Sequence, residues 1–243
     1  MTYRYRTIGI LGSRQLASQI TRFIARQEVN IVGCVVPHFK GWWNDDFENT
    51  ARELNLEVLS FDDLIDRVPD VVLSLNYWKV IEEKVIKRIP GGVVNIHHSY
   101  LMKYRGRYST SHAILNARKL NCWTHGSTIH YIDRELDKGK IICSRSCEIF
   151  EDDTAESLFG RVESLAYQMF CDNFHKIMNG IEEFLDPDPD SFFYDINSNN
   201  VEIPSGLSTE EIYDFVRAWT FKGRPKPFFL YKGRKILLSL TDN

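Results

Sequence analysis

Two stretches of this chain concentrate residue types that bind and move protons. The first is Asn95-Ile96-His97-His98-Ser99-Tyr100-Leu101, which follows the apolar residues Val93-Val94. Strand side chains alternate, so Asn95 and His97 share one face and His98 points to the other. An amide donor and an imidazole that titrates near neutrality are costly to bury unless they are hydrogen-bonded. That cost marks the pair as a candidate site. The second stretch runs from His125 through Ile129-His130-Tyr131-Ile132 into an acidic loop, Asp133-Arg134-Glu135-Leu136-Asp137-Lys138-Gly139. A lone histidine at a strand end is ordinarily a structural residue. An Asn-x-His pair together with a Leu-Asp-x-Gly loop supplies a donor, a proton carrier and a carboxylate, which suits proton transfer. Because His97 and His98 face opposite ways they cannot jointly chelate, and no metal-ligand spacing is visible elsewhere.

The elements that must position these residues follow from the apolar periodicity. Thr7–Leu11, Ile31–Val36, Val71–Leu75 and Val93–Ile96 read as buried strands, and Val58-Leu59 as a short one. Helical spacing covers Arg14–Gln27, Phe47–Asn55, Phe61–Arg67 and Val80–Ile89. Continuous Val/Ile/Leu strands alternating with helices predict an α/β unit with a parallel sheet covered on both faces. In such sheets ligands bind beyond the carboxyl ends of the strands, where the residues of interest are expected. Ser127–Tyr131 and Ile141-Ile142 are two further strands. Asp153-Thr154-Ala155-Glu156 reads as a capping box opening a long helix to about Met178, stopped near Gly180. Asp186-Pro187-Asp188-Pro189-Asp190 breaks the pattern, placing a domain boundary between a catalytic unit, 1–185, and an α+β extension, 186–243. In the extension, Ser208-Thr209-Glu210-Glu211 caps a helix to Ala218, and Lys232-Gly233-Arg234 turns a hairpin between Pro227–Tyr231 and Lys235–Leu240.

The composition narrows the function classes. Among 243 residues, 43% are hydrophobic and the net charge is −3, so no strong field marks nucleic acid or an anionic membrane as partner. No apolar run approaches the ~20 residues of a membrane helix, and Met1-Thr2-Tyr3-Arg4 lacks a signal-peptide core. Five cysteines without CxxC spacing argue against a disulfide framework. The expected location is cytoplasmic. The first turn, Gly9-Ile10-Leu11-Gly12-Ser13-Arg14, lacks the GxGxxG glycines of a dinucleotide fingerprint, and Pro37-His38-Phe39-Lys40 lacks its ribose-binding acid. Ser13 and Arg14 either meet a substrate at the mouth or merely begin a helix.

With these residues in view, Asn-Ile-His-x-Ser followed by a Gly-containing loop, Arg105-Gly106-Arg107, and by His130-Tyr131 … Leu136-Asp137-x-Gly139 resembles the folate-dependent formyltransferases. The resemblance is strongest from Leu73 to Ile142. It implies a Rossmann-like, mostly parallel sheet, the formyltransferase fold, with a small C-terminal α+β extension. It also implies N10-formyltetrahydrofolate as co-substrate, no metal, and Asn95, His97 and Asp137 as the catalytic set. In that chemistry an amine attacks the formyl carbon, an Asn N–H and a histidine stabilise the oxyanion, and the histidine takes or relays the proton. Asp137 orients His97 and stabilises its cation, or acts through a water. It lies 40 residues after His97, a few more than usual, and the extra residues fall around Arg118–Asn121. Leu136 and Gly139 favour Asp137 over Asp133 as the matching acid. The family's pteridine site corresponds here to Trp78, Lys79, Val80 and Ile81 on one side and Ile132, Glu135 and Leu136 on the other. Lys79 also suits a substrate phosphate, and Trp78 and Ile81 equally suit a core cap.

The branch follows from two features. His97-His98-Ser99-Tyr100-Leu101 is similar to the nucleotide-sugar branch rather than to the purine and tRNA branches. Arg217-Ala218-Trp219-Thr220-Phe221-Lys222-Gly223 and Tyr231-Lys232-Gly233-Arg234-Lys235-Ile236 resemble that branch's tail. From Asp186 onward seven Lys/Arg face nine Asp/Glu, a poor surface for tRNA. The expected acceptor is a dTDP-linked amino-dideoxy sugar, 4-amino-4,6-dideoxyglucose ahead of the 3-amino isomer, used in O-antigen or similar glycan synthesis. Ser13, Arg14, Tyr77, Arg105, Arg107 and Lys222 are the substrate-binding candidates. Trp42 and Trp43 stack the thymine, cover the core or meet a second copy; the resemblance implies a homodimer through the extension. Formylation of glycinamide ribonucleotide or methionyl-tRNA, hydrolysis of formyltetrahydrofolate, and an NAD(P)-binding oxidoreductase are the competing readings.

Overall fold

The computed structural model describes residues 3–37 and 45–241, so Trp42, Trp43 and His38-Phe39-Lys40 lie outside the described residues. In chain order the elements are β1 (Thr7–Gly12), α1 (Arg14–Ile24), β2 (Asn30–Val35), α2 (Asp45–Glu53), α3 (Phe61–Asp66), β3 (Val71–Leu75), α4 (Glu83–Ile86) and β4 (Val93–His97). Then come β5 (Tyr104–Gly106), α5 (Ser109–Ala117), β6 (Thr124–Tyr131), β7 (Ile141–Glu148), α6 (Ala155–Asn179), β8 (Phe192–Tyr194), α7 (Thr209–Ala218), β9 (Phe228–Tyr231) and β10 (Arg234–Leu237).

Six strands form one sheet in the order β2-β1-β3-β4-β6-β7. The apolar runs of β1 to β4 are buried and pair in parallel, as their composition predicts. The parallel reading stops at β4, because β6 runs antiparallel to β4, and β7 antiparallel to β6. The acidic loop after β6 therefore leaves from the opposite end of the strands and must fold back along the sheet. The loop sits at the carboxyl end of β6, which the antiparallel pairing puts opposite the carboxyl ends of β1 to β4. Strand order reverses between β2-β1 and β1-β3, which makes the carboxyl ends of β1 and β3 the switch point of the sheet.

Alternation divides the sheet's side chains between two cores. Ile8, Ile10, Leu73, Val94 and Ile96 pack with α1, α2 and the second half of α6, where Phe170, Phe174 and Ile177 lie. Leu11, Val72 and Val93 pack on the other face with Leu64 of α3 and Val85 of α4. Helix α6, 25 residues and therefore about 37 Å long, extends beyond the sheet. Its first half, with Leu158 and Val162, forms a third core with Ala113 and Ile114 of α5 and Phe215 and Trp219 of the extension. The chain beyond Asp186 is thus built onto α5 and α6 up to Trp219, with Arg217 fully buried between Asp214 and the carbonyls of Phe150 and Asp153.

Several boundaries differ from the sequence expectation. Helix α1 ends at Ile24. The helix expected over Val80–Ile89 is only the single turn Glu83–Ile86, because Val80 faces solvent and gives the helix no apolar face to begin on. The expected loop Arg105-Gly106-Arg107 contains β5, which pairs in parallel with β8. Thr154 caps α6 reciprocally with Ser157 rather than through Glu156, while Ser208 and Glu211 form the expected box on α7. Val58 makes one bridge to Cys34, and the hairpin is tighter than expected, Phe228–Tyr231 against Arg234–Leu237. Among the described residues no helix is long and apolar enough to cross a membrane.

Candidate functional site

Asn95 and His97 project from β4 onto the face of α3 and α4, the face opposite α6. The antiparallel register places Asn95 directly across from His130 of β6, with both side chains on that face. Asn95 Nδ2 lies 3.0 Å from His130 Nε2, and His130 Nδ1 lies 2.9 Å from the Tyr131 carbonyl. A carbonyl only accepts, so Nδ1 carries the proton and Nε2 accepts from the Asn95 amide. Burial holds His130 neutral, its pKa lowered to about 4. The neutral ring thereby fixes the flip of Asn95: one N–H goes to His130, and the second N–H and the carbonyl oxygen remain for other partners.

His97 is held differently. Its Nε2–H donates to the Tyr104 carbonyl at 2.7 Å, leaving Nδ1 as the basic nitrogen of the neutral ring. Ser99, fully buried, fixes that carbonyl's residue by accepting from Tyr104 N at 2.7 Å. Ser127 Oγ donates to the His97 carbonyl at 3.1 Å. Asp137 stands between the two imidazoles, 3.8 Å from His97 Nε2 and 3.9 Å from His130 Nε2. Its Oδ2 accepts from Gly106 N at 2.8 Å. The resemblance implied that Asp137 orients His97 and stabilises its cation, or acts through a water; here the Tyr104 carbonyl holds His97 Nε2, and the carboxylate lies just beyond bonding distance.

The loop that carries Asp137 back along the sheet is closed by Gly139, where a Cβ would fall 1.7 Å from the Tyr131 carbonyl. Asp137 itself adopts φ 52°, a strained backbone for a non-glycine residue of the kind found at functional sites. The Leu-Asp-x-Gly spacing therefore has a backbone reason. The 76–82 loop is its neighbour: Ile132 and Tyr77 pack against the cluster that includes Ile81, and the Arg134 charge acts on Glu83.

The remaining candidates fall into two groups. Tyr77, Trp78, Lys79, Arg105 and Arg107 lie on the side of the acidic loop. Arg107 donates to the Trp78 carbonyl at 3.3 Å, Tyr77 and Trp78 rings lie 4.5 Å apart, and the Arg105 charge acts on Glu135. Ile81 is buried in the core, whereas Val80 and Leu136 are exposed apolar side chains and Glu135 pairs with Lys138 at the surface. The second group sits at the β1/β3 switch point. Ser13 Oγ is committed to the Asn76 carbonyl at 2.8 Å. Arg14 and Asn76 both take left-handed backbone conformations there, φ 68° and 56°. The Arg14 guanidinium lies 5.8 Å from the Phe159 ring, Phe159 lies 5.5 Å from Phe221, and Arg224 lies 4.4 Å from Phe221. Lys222 is exposed, with its backbone held by Glu156 at 2.9 Å.

Sequence reasoning missed His130 as a partner of Asn95, although His130 stood inside the motif; its pairing needed the strand direction. It also missed Arg224, whose signal was a second cation two residues from Lys222. Burial lowers the pKa of both Arg14 and Arg224, and for Arg224 the nearby charge of Arg14 lowers it further. Glu163, which accepts from Asn76 Nδ2 at 3.1 Å, opposes that for Arg14. Among the described residues no cluster of three His, Cys, Asp or Glu side chains is arranged around a metal position.

A model of the formyl transferase family matches residues 47–173, just over half of the chain. Methionyl-tRNA formyltransferase of Halothermothrix orenii is 28% identical over 212 residues; the match covers 79% of this chain and 65% of that enzyme, a little under two thirds of its length. A 4-N formyltransferase from Francisella tularensis has the same fold, with a TM-score of 0.81 at 18% identity over 97% of each chain. The N-formyltransferase of Helicobacter canadensis, solved in complex with folinic acid and dTDP-3-aminofucose, has a TM-score of 0.78 at 22% identity over 95% of this chain and 86% of that one.

Proposed function

The chain belongs to the formyl transferase family, and we propose that within it this protein moves a formyl group from N10-formyltetrahydrofolate to the amine of a dTDP-linked amino-dideoxy sugar. The observation that carries this reading is the convergence of Asn95 and His97, from one strand, with Asp137, from a returning loop, while His130 of the neighbouring strand locks Asn95. Folate, when bound, presents an electrophilic formyl carbon to the amine. The second Asn95 N–H is a donor for the negative charge that develops on the formyl oxygen, and removing one such donor typically costs on the order of 10²–10³ in rate. His97 accepts the amine's proton at Nδ1, the Asp137 carboxylate stabilises the resulting imidazolium, and breaking of the formyl carbon–N10 bond releases tetrahydrofolate with a proton on N10. The exposed apolar groups Val80 and Leu136 and the neighbouring 76–82 and 132–138 loops suit the flat face of a pteridine.

Arg14 and Arg224, with Lys222 close by in the chain, suit the sugar nucleotide's pyrophosphate: like charges held together at reduced solvent exposure favour an anion between them. Their place at the switch point of the sheet is where such folds take ligands. Tyr77, Arg105 and Arg107, on the side of the acidic loop, suit the folate side of the same site in this reading. The dTDP-aminosugar bound by the Helicobacter canadensis enzyme supports the substrate class; dTDP-4-amino-4,6-dideoxyglucose is the first choice, its product feeding O-antigen or similar glycan assembly in the cytoplasm. The extension's acidic balance disfavours tRNA as acceptor. Leu230, Tyr231, Ile236 and Leu237 of the β9–β10 hairpin are exposed, and a second copy is the partner that covers them.

The test mixes pure protein, N10-formyltetrahydrofolate and a panel of dTDP-linked aminosugars, with glycinamide ribonucleotide and methionyl-tRNA as further arms. Mass spectrometry reads the gain of one formyl group. Formylation of a dTDP-aminosugar, lost in His97→Asn, is the expected result. Product only from glycinamide ribonucleotide or tRNA refutes the acceptor, and no folate binding refutes the reaction.

A further inference from the structure

The strand that anchors the catalytic groups is itself held by the C-terminal extension. Segment 99–108 departs from ordinary backbone geometry, with Leu101, Met102 and Tyr108 at φ 44°, 60° and 59°. Such conformations persist only when their surroundings over-determine them. Part of the restraint comes from β7 and the segment itself: Leu101 N donates to Ser144 Oγ of β7 at 3.0 Å and Tyr104 N to Ser99 Oγ at 2.7 Å. The rest comes from residues 188–194. Asp188 N donates to the Leu101 carbonyl at 2.8 Å, Phe192 N to the Lys103 carbonyl at 2.7 Å, and Arg107 N to the Tyr194 carbonyl at 2.8 Å. Lys103 Nζ and Asp188 Oδ2 pair at 3.2 Å, both largely buried.

Peptide groups alternate along a strand. The Lys103 carbonyl and the Arg107 N–H face β8, so the Tyr104 carbonyl and the Gly106 N–H face the other way. Those are the two groups that hold His97 and Asp137. Gly106, at φ 85°, leaves no room for a side chain against β8: a Cβ there would lie 2.0 Å from the Tyr194 carbonyl. The Tyr194 side chain is packed in turn, its ring stacked on His112 at 3.5 Å and its hydroxyl accepting from Asn116 Nδ2 at 3.0 Å.

We infer that residues 188–194 form a positioning strap for catalysis, with Gly106 and Tyr194 as positioning residues that set the separation of His97 and Asp137. The inference rests on the formyl-transfer reading. A displacement of about 1 Å at reacting groups costs on the order of 10²-fold in rate, so loosening the strap is expected to act on kcat.

Gly106→Ala, Tyr194→Ala and Tyr194→Phe are compared in the full chain, with kcat and KM measured for folate and sugar. The His97 titration is followed in parallel by histidine-ring NMR, which requires no turnover. The expected result is a kcat loss of about 30-fold or more in the two alanine variants, KM within threefold, a shifted His97 titration midpoint, and near-normal behaviour of Tyr194→Phe. Folded alanine variants with unchanged kcat and an unchanged His97 midpoint overturn the strap, as does a loss confined to KM. Where the alanine variants fail to fold, the Lys103–Asp188 pair decides. Asp188→Lys is expected to lower kcat and the double variant Lys103→Asp with Asp188→Lys to restore it, and an inert Asp188→Lys overturns the proposal. A wild-type protein that formylates nothing refutes the functional reading instead, while the NMR comparison still judges the strap.

Discussion

Lowering the pH from 7 to 5 should destabilise this protein far more than its surface charges would suggest. Three histidines are buried neutral. Burial lowers His112 and His130 to about 4 and His125 to about 3, from an ordinary 6.5. Each is enclosed: His112 by the Tyr194 ring at 3.5 Å, His125 beside Thr110 Oγ1 at 3.3 Å, His130 between Asn95 and the Tyr131 carbonyl. A folded-state pKa below the unfolded value means that the unfolded chain binds more protons between the two. Stability is therefore complete above about 6.5 and lost as the pH falls toward 4. Between pH 7 and 5 linkage gives a little under ~2 kcal/mol for each histidine, and about 5–6 kcal/mol for the three together. That equals the lower end of a domain's whole stability, roughly 5–15 kcal/mol. Asp70 and Asp153 do not confuse the window. Burial raises their pKa, but hydrogen bonds from Thr7 and Arg6 and from Arg161 lower it further, so they titrate below the ordinary carboxylate value. Urea unfolding followed by far-UV circular dichroism at pH 7, 6 and 5 reads the effect. With a slope of about 2.5 kcal/mol/M the midpoint should fall by about 2 M. A midpoint at pH 5 within about 0.4 M of that at pH 7 would refute the argument. His112→Phe should remove about a third of the dependence.

Three shorter predictions accompany it. Asn95→Ala should lower kcat on the order of 10²–10³ with KM within threefold, and steady-state kinetics showing less than a tenfold loss would exclude Asn95 as the oxyanion donor. Arg14→Gln and Arg224→Gln should each raise the sugar-nucleotide KM about tenfold, the scale of one hydrogen bond to a charged group, and an unchanged KM would place the pyrophosphate elsewhere. Arg217→Met strands the Asp214 carboxylate, 7% exposed, with only the partly exposed Arg118 as partner. Breaking a buried pair costs about 3–5 kcal/mol, a fall in Tm of about 6–12 °C for a chain of this size, and calorimetry showing under 2 °C would contradict it.

Local pattern carried much of the reading. The apolar runs that become β1 to β4 can be buried on both faces only in a covered parallel sheet, so their composition was enough to place them. The cap at Ser208 and the stop at Gly180 depend on residue types within one turn, and both were legible. The Asn-x-His spacing put two side chains on one face because strand periodicity is two, whatever the rest of the chain does.

What lay across the chain was not legible. Val80 looked like the start of a helix until its exposure showed that nothing covers that turn. His130 became the partner of Asn95 only because β6 runs antiparallel in one register, a choice made by the whole sheet. Asp137 reaches the site through a loop whose path Gly139 permits but does not specify. Arg105-Gly106-Arg107 read as a loop because its strand partner lies more than eighty residues later. Sequence by itself determined which side chains this protein can bring to chemistry and the local conformation of each. Tertiary structure decided which of them meet, because strand direction, register and the docking of residues 188–194 are set by packing between segments far apart in the chain.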